Sequence, residues 1–438
     1  AEPGEPAVRP RLAACLLFAG LVAGHGSALA QSTTAFVHAT LYTLEDAQPI
    51  EDATVVIRDG KVQAVGAGLS PPAGARVIDV EGRIVTPGLM SAGSQLGLVE
   101  VGSLADTRDY AVASGALGAA FDVQYALNPN ATTFDLALSD GLTRALTYPE
   151  GSSVAPFLGQ AALLRLGSAD ALLERAQVAM FVRVGGGAAA GAGGSRSASW
   201  SLLRNALEEA RRYRPVAGVG RPRDQLLGRL DAEALQDVVR GRMPLAIVAD
   251  RESDLRQVLR LHDDTGLPLI VYGGAEAWRV APALAARKIP VVLDPTLNLP
   301  ASFDALGARL DNAALLHAAG GRVAFCMSAF FRTYNAGSGL RFGAGLAVAN
   351  GLPWIEGLRA MTSSPASIFG LDGRYGRVRP GADADLVVWD GDPLEPSTSA
   401  LQVWVRGVEM PVDATRQHAL AERYSPLRKR EMPPAYRH

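Results

Sequence analysis

The middle of the chain alternates short apolar stretches with amphipathic ones, and this alternation constrains the fold more than any other feature. Apolar runs predict strands at residues 84–89, 142–148, 178–184, 245–249, 267–272, 289–293 and 323–327. Helical spacing of apolar residues predicts helices between them, at 201–213, 253–263, 275–286 and 311–319. Strands separated by helices form a parallel sheet through right-handed crossovers. We therefore predict an α/β fold with a (β/α)8 TIM-type barrel, of which seven strands are visible and the eighth is not.

Both flanks of this section are rich in short strands. Alternating apolar and polar residues at 35–44 and 53–58 are followed by Asp59-Gly60, a dipeptide typical of hairpin turns. Residues 384–389 and 402–406 have the same character near the other end. The flanks together predict a small β-sandwich domain. The predicted division is a signal peptide at 1–30, a composite sandwich domain at 31–86 and 367–411, a barrel at 87–366 and a basic tail at 412–438.

The first thirty residues have the pattern of an export signal. Arg9 and Arg11 precede an uncharged apolar stretch at 12–22, and Ala28-Leu29-Ala30 is a small-x-small cleavage pattern. The apolar stretch is too short for a permanent membrane span. We therefore expect cleavage near Ala30 and a periplasmic or secreted protein without a membrane span.

Charge and cysteine content exclude some functions. The formal net charge is −2, from 42 basic and 44 acidic side chains, so no global field attracts nucleic acid. Arginines are frequent in the tail, which we interpret as a solvated end. Cys15 lies in the signal, so Cys326 remains alone and no internal disulfide can form. Its apolar surroundings indicate a packing residue.

Three motifs identify a resemblance to a known family. Residues 82–97 (GRIVTPGLMSAGSQLG) resemble the first barrel strand of the amidohydrolase superfamily, in its imidazolonepropionase-like branch. Residues 376–389 (GRVRPGADADLVVW) resemble that family's C-terminal signature, and 360–366 (AMTSSPA) the helix before it. Residues 141–144 (GLTR) resemble the second strand. The resemblance implies a barrel with a flanking sandwich, and it makes Asp383 and Asp385 structural.

The same resemblance implies hydrolysis of C–N bonds by a metal-bound hydroxide. Zinc, the cofactor of the family, needs three or four converging imidazole or carboxylate ligands. The family's first-strand His-x-His pair corresponds here to Gly93 and Gln95, and Ser328 stands where the last strand has its catalytic Asp. Asp250 and Tyr272 stand near positions where relatives often have His. These degenerate positions predict that no metal or other cofactor is bound.

The histidine count agrees with this interpretation. The chain has six histidines, and none follows a predicted barrel strand. They are His25 in the signal, His38 in the sandwich, His262 and His317 in helices, and His418 and His438 in the tail.

Carboxylates could replace the missing imidazoles. Glu150, Asp250 and Asp294 lie near predicted strand ends and are the candidate catalytic residues or hard-cation ligands. The alternative interpretation is that they hydrogen-bond to loops or pair with Arg144 or Arg251.

Three functions remain open at this point. The first is a metal-free pseudoenzyme that serves as a binding or scaffolding subunit, as a homo-oligomer or beside an active homologue. The second is an active C–N hydrolase with a displaced or carboxylate-only site. The third is a periplasmic small-molecule binder with Gln95, Tyr272, Ser328 and Arg332 as pocket residues. Residues 185–199, rich in glycine, are predicted to form a flexible loop over the barrel mouth.

Overall fold

The computed structural model describes residues 33–115, 117–151, 156–214, 226–297, 299–327 and 330–412, with the side chains of residues 330–332 left out. Two eight-stranded sheets organise these residues. Their strands, in chain order, are β1 Thr34–Leu41, β2 Ile50–Arg58, β3 Lys61–Ala67, β4 Arg76–Asp79, β5 Ile84–Pro87, β6 Leu89–Ser94, β7 Leu142–Thr147, β8 Phe157–Arg165, β9 Leu173–Arg183, β10 Leu245–Ala249, β11 Leu269–Gly273, β12 Val291–Leu293, β13 Val323–Phe325, β14 Leu386–Trp389, β15 Ala400–Val405 and β16 Val408–Met410.

The first sheet joins the two flanks of the chain. Its order is β16-β15-β14-β5-β1-β2-β3, and β4 pairs in parallel with β1. Strand β5 lies between β1, its parallel partner, and β14, its antiparallel partner. Side chains from both flanks, among them Phe36, Val55, Leu386 and Trp404, share one apolar cluster. The sheet therefore forms only when both flanks are present.

The second sheet is a nearly closed barrel, which confirms the predicted fold class. Its order runs from β6 to β13 without interruption. The Met327 amide donates to the Gly93 carbonyl at 3.0 Å, which links the chain just after β13 to β6. The predicted strand at 84–89 is divided between the two sheets, because β5 ends at Pro87 and β6 begins at Leu89.

The eighth barrel strand, which the sequence did not reveal, is β8. It is antiparallel to both β7 and β9, whereas the other seven strands share one direction. A hairpin of β8 and β9 therefore stands where the strict alternation predicts a crossover helix. The barrel sheet agrees with the prediction. The connection after β7 differs from it, because a strand and not a helix follows β7.

Helices pack around the remaining barrel strands. Within the described ranges, no helix is long and apolar enough to cross a membrane. The segment predicted as a glycine-rich loop contains α2 and the start of α3, so it is partly helical. The helices are α1 Thr133–Ser139, α2 Gly186–Ala189, α3 Arg196–Arg212, α4 Arg229–Ala234, α5 Gln236–Val239, α6 Glu252–Thr265, α7 Ala281–Ala286, α8 Asn312–Ala318, α9 Ala336–Ala349, α10 Trp354–Ala360 and α11 Ser363–Ile368.

A buried charge cluster, which we call the Arg144 cluster, connects the barrel to the flank sheet. Arg144 in β7 is fully buried; its Nε lies 2.6 Å from Glu174 and one terminal nitrogen 3.2 Å from Asp383. Its other terminal nitrogen pairs with Asp385. Its guanidinium also lies over the Tyr375 ring, 4.7 Å from the centroid. The two aspartates before β14 therefore hold the domains together, as a structural role requires.

Candidate functional site

The mouth of the barrel is the end at which the seven co-directional strands finish, and ligand sites of such barrels lie there. Gly93 and Tyr272 lie within β6 and β11, close to the ends of these strands. The remaining predicted site residues that the structure describes follow their strands directly or within three residues: Gln95 after β6, Glu150 after β7, Asp250 after β10 and Asp294 after β12. Ser328 and the side chain of Arg332 lie outside the described residues, so their role stays a prediction.

Three aromatic rings fill the barrel below its mouth, and we call them the aromatic plug. Tyr148 and Phe181 are stacked with ring centroids 4.6 Å apart, and Tyr272 lies 4.7 Å from Phe181. The Tyr272 hydroxyl donates a hydrogen bond of 2.6 Å to the Ala92 carbonyl. This bond fixes the ring against β6, the strand from which the family takes its His-x-His pair.

Gly93 faces the aromatic plug at close range. A Cβ atom at this position would lie 3.0 Å from Tyr148 Cε1, 3.2 Å from Tyr272 Cε1 and 3.3 Å from Cys326 Cβ. Real side chains rarely tolerate such distances, because close-packed interiors leave few voids. A side chain here would therefore require the neighbouring rings to move by a few tenths of an ångström.

Gln95 is fully buried beside the plug. Its amide oxygen and nitrogen have no hydrogen-bond partner of good geometry in the part of the chain that the structure describes. Burial raises the pKa of the Tyr148 hydroxyl; Cys326 and Glu150 add to this effect, and the nearby Gln95 amide opposes it. Tyr272 is only 3% exposed. Gln95 and Tyr272 therefore form the floor of the mouth.

Charged groups from three strands lie above this floor. Burial raises the pKa of the Glu150 carboxyl, and the Arg183 guanidinium opposes this shift. Burial also raises the pKa of Asp250; a hydrogen bond from the Ala275 amide opposes the rise, and so does Arg183. Arg183 ends β9, is partly buried and forms no salt bridge with any described carboxylate. The mouth thus presents a guanidinium that forms no salt bridge with the described carboxylates and acts electrostatically on Glu150 and Asp250.

The three candidate carboxylates do not converge on a metal. Asp294 is buried, and its Oδ1 accepts hydrogen bonds from the Thr296 amide at 3.0 Å and the Thr296 hydroxyl at 2.5 Å. Asp250 Oδ1 accepts from the Ala275 amide at 3.2 Å. Among the described residues, no three His, Cys, Asp or Glu side chains are placed to share a metal ion.

The alternative interpretation of the sequence paired these carboxylates with Arg144 or Arg251, and both pairings are wrong. Arg144 is committed to Glu174, Asp383 and Asp385. Arg251 pairs with Asp254, with Arg251 Nε 3.2 Å from Oδ2. Hydrogen bonding to loops, the other half of that interpretation, describes Asp250 and Asp294 correctly.

The described histidines lie away from the mouth. His38 pairs with Asp79 in the flank sheet, at 3.0 Å between Nδ1 and Oδ1. His262 and His317 lie in the last turns of α6 and α8, and His262 Nδ1 is 3.0 Å from the Leu267 carbonyl oxygen.

Sequence reasoning missed Tyr148, Phe181 and Arg183. Each lay in or at the end of a predicted strand, and side chains two residues apart share one face. That periodicity indicates which residues of one strand point into the barrel. Which side chains of different strands meet there depends on the register between the strands, and the sequence does not give this register. The glycine-rich segment also has an unforeseen internal partner, since the Gly186 amide donates to Asp304 Oδ2 at 2.6 Å and Arg196 pairs with Oδ1 at 2.7 Å.

The raised pKa of Asp250 gives a pH-dependent prediction. A carboxyl whose pKa is higher in the folded than in the unfolded chain disfavours folding increasingly as pH rises through the folded pKa. We expect Asp250→Asn to become progressively more favourable for stability as pH rises above about 4, the pKa of an unfolded Asp, until the raised folded pKa is passed. The measurement is the free energy of unfolding in urea at each pH.

Asp263→Asn is the matched control, because a hydrogen bond from Arg287 lowers the pKa of Asp263. Its cost should increase as pH rises to about 4 and stay level at higher pH, where Asp250→Asn still changes stability. Equal pH trends for the two variants would contradict the assignment.

Comparison with known proteins gives a family match for the C-terminal part. Residues 298–410 match the Amidohydro_3 model of the amidohydrolase family. The amidohydrolase tasK of Hapsidospora irregularis is 41% identical over 76 residues, which cover 17% of this chain and 8% of that protein. The chain therefore matches only a small part of that relative's length.

Solved structures share the fold over most of the chain. An amidohydrolase from Thermotoga maritima MSB8 is 24% identical with a TM-score of 0.76, over 86% of this chain and 99% of that one. A prolidase complexed with N-methylphosphonate-L-proline is 16% identical with a TM-score of 0.54, over 86% and 99%. Molinate hydrolase is 16% identical with a TM-score of 0.52, over 88% and 96%. The family-model match is confined to residues 298–410, and the solved structures show that the chain shares their fold.

Proposed function

We propose that this chain is a metal-free member of the superfamily that binds or scaffolds and does not hydrolyse C–N bonds. The observation that carries the proposal is the packing at Gly93, where the rings of Tyr148 and Tyr272 occupy the space of a side chain. An imidazole at this position would overlap the aromatic plug. The residues present therefore do not fit the zinc ion that the family implies.

The charges at the mouth support the same proposal. Metal-assisted hydrolysis needs several ligands around one ion and an open position for water. The Arg183 guanidinium instead acts electrostatically on Glu150 and Asp250, which disfavours a divalent cation there. Asp294 uses Oδ1 to hold Thr296. We derive no hydrolytic step from this arrangement.

Arg183 is the group best suited to bind a ligand at the mouth. A partly buried guanidinium that forms no salt bridge with any described residue favours a carboxylate, which can accept two parallel hydrogen bonds. We therefore propose a small carboxylate-bearing molecule as ligand, held above the floor that Gln95 and Tyr272 form. Binding at this end follows the usual placement of sites in barrels of this kind.

The remaining sequence expectations are proposals of the same kind. We propose export to the periplasm or beyond after cleavage near Ala30, no bound cofactor, no nucleic-acid partner, and association with a second copy or an active homologue. The signal at 1–30 and the tail from residue 413 lie outside the described residues. The pattern of Arg9, Arg11 and the apolar stretch supports the export proposal.

The test combines metal content, turnover and binding on the purified mature protein. We expect substoichiometric zinc and manganese by elemental analysis, and no turnover of N-acyl amino acids, dipeptides or cyclic imides with either metal added. We also expect thermal stabilisation by some members of a carboxylate library, because ligands that bind the folded state stabilise it. Arg183→Gln should abolish that stabilisation.

Asp263→Asn, a surface variant, is the control for binding. A stoichiometric divalent ion, or turnover that Asp250→Asn or Asp294→Asn abolishes, would favour the carboxylate-only hydrolase instead. If no member of the library raised the melting temperature, the proposal of a carboxylate ligand would be contradicted.

A further inference from the structure

A cavity lies on the outer wall of the barrel, away from its mouth. It has a volume of about 620 Å³ and is lined by β8, β9, the loop at 117–126 and helix α4. Its size falls in the range of about 300–1,000 Å³ that small-molecule sites occupy. It exists because the β8–β9 hairpin replaces a crossover helix, so a loop covers the outer face of β8.

The loop is fixed tightly to the strand beneath it. The backbone amide of Gln160 donates a hydrogen bond to the Phe121 carbonyl at 2.7 Å. Gly159, with φ of 128°, lets the loop approach, since a Cβ there would overlap the Phe121 carbonyl oxygen. The polar wall of the cavity therefore has a defined position.

Two buried polar side chains form this wall. Asp122 is 6% exposed. Among the described residues, its carboxylate accepts hydrogen bonds from uncharged groups only: the Gln124 backbone amide at 3.1 Å, Gln124 Nε2 at 2.6 Å and Gln177 Nε2 at 2.8 Å. Gln160 is 4% exposed, and its side-chain amide has no hydrogen-bond partner in the described part of the chain. This side chain lines the cavity, so its amide is available to hydrogen-bond to a ligand there.

The charge of the lining defines the chemistry of that ligand. Among the described residues, no Lys, Arg or His lines the cavity, whereas Asp122, Glu233 and Asp237 do. Glu233 and Asp237 pair with surface arginines, Arg229 and Arg242. Asp122 has no cationic partner among the described residues. The opposite wall is apolar, with Leu117, Ala126 and Met243.

We propose that this outer cavity binds an apolar primary amine, with its ammonium group between Asp122 and Gln160 Oε1. An ammonium group supplies three donors. A carboxylate offers about four acceptor positions, of which three are used here. The hydrocarbon part of the amine packs against the apolar wall. The site is separate from the barrel mouth and does not depend on the proposed function.

The experiment titrates 2-phenylethylammonium into the full chain by calorimetry, beside 2-phenylethanol and 3-phenylpropanoate. A hydrogen bond to a charged group is worth about 1.5–3 kcal/mol, so the ammonium should bind about tenfold or more tightly than the alcohol. The carboxylate should bind most weakly.

Two variants locate the site. Asp122→Asn keeps a residue that caps the following turn well, and Gln160→Leu preserves volume. Each should weaken ammonium binding about tenfold. Asp263→Asn and Arg183→Gln should leave it unchanged, and the latter separates this site from the mouth. Equal affinity for the ammonium and the alcohol, or unchanged binding in folded Gln160→Leu, would overturn the proposal.

Discussion

Replacement of Arg144 by methionine is expected to lower the free energy of unfolding by about 3–5 kcal/mol, because it leaves the buried Asp385 carboxylate without its counter-charge. Glu174, Asp383 and Asp385 all pair with this guanidinium, and the Asp383 and Asp385 side chains are at most 1% exposed. Unfolding in urea, followed by circular dichroism, measures the loss. The loss should become smaller in acid, because protonated carboxyls no longer need a cation.

Arg287→Met is the matched control for this prediction. Arg287 also pairs with a carboxylate, Asp263, at 2.7 Å, but both side chains are partly exposed. Exposed pairs contribute about 0–1 kcal/mol. A similar small loss for Arg144→Met would mean that the Arg144 cluster does not connect the two domains.

Replacement of Gly93 by histidine is expected to destabilise the protein by about 3 kcal/mol or more, at the upper end of the cost of overpacking a core. The imidazole would have to displace Tyr148 or Tyr272, whose rings already lie within 3.0–3.2 Å of the Cβ position. Denaturant unfolding measures the change. Zinc uptake should not increase, since the other ligands are missing.

Gly373→His is the control, because nothing lies within 4 Å of a Cβ atom at Gly373 and its φ is not positive. A surface change of this kind alters stability by about 0.5 kcal/mol at most. The double variant Gly93→His/Tyr272→Ala should be less destabilised than the sum of the two single variants, because the imidazole can occupy the space that the ring leaves. If Gly93→His were as stable as the parent, the steric argument against a metal would fail.

Much of the fold follows from the periodicity of the sequence. Six barrel strands were predicted within five residues of their observed bounds, since buried parallel strands are continuous apolar runs, whereas the run at 84–89 lies mostly in β5 of the flank sheet. Strand β8 was missed because residues 157–165 are rich in Leu and Ala, and a short apolar run of this kind cannot be distinguished from a buried helix. Residues 157–165 form a strand because they pair with β7 and β9, and these contacts between distant residues cannot be read from the local sequence.

The candidate site was predictable in its chemistry and unpredictable in its packing. Residue types alone show that Gly93 and Gln95 stand where the family has imidazoles. The stacking of Tyr148 on Phe181 depends on the register of three strands, which the sequence leaves open. The partners of Arg144 come from residues more than two hundred positions away, as with Asp385, so no local pattern indicates them.

The pairing of β5 with β14 has a consequence for biosynthesis. The Trp389 indole donates to the Thr86 hydroxyl across 303 positions of sequence. During synthesis β5 leaves the ribosome long before β14. The edge of β5 that pairs with β14 therefore stays unpaired until the C-terminal strands are synthesised. Contacts of such long range slow folding and expose strand edges to aggregation.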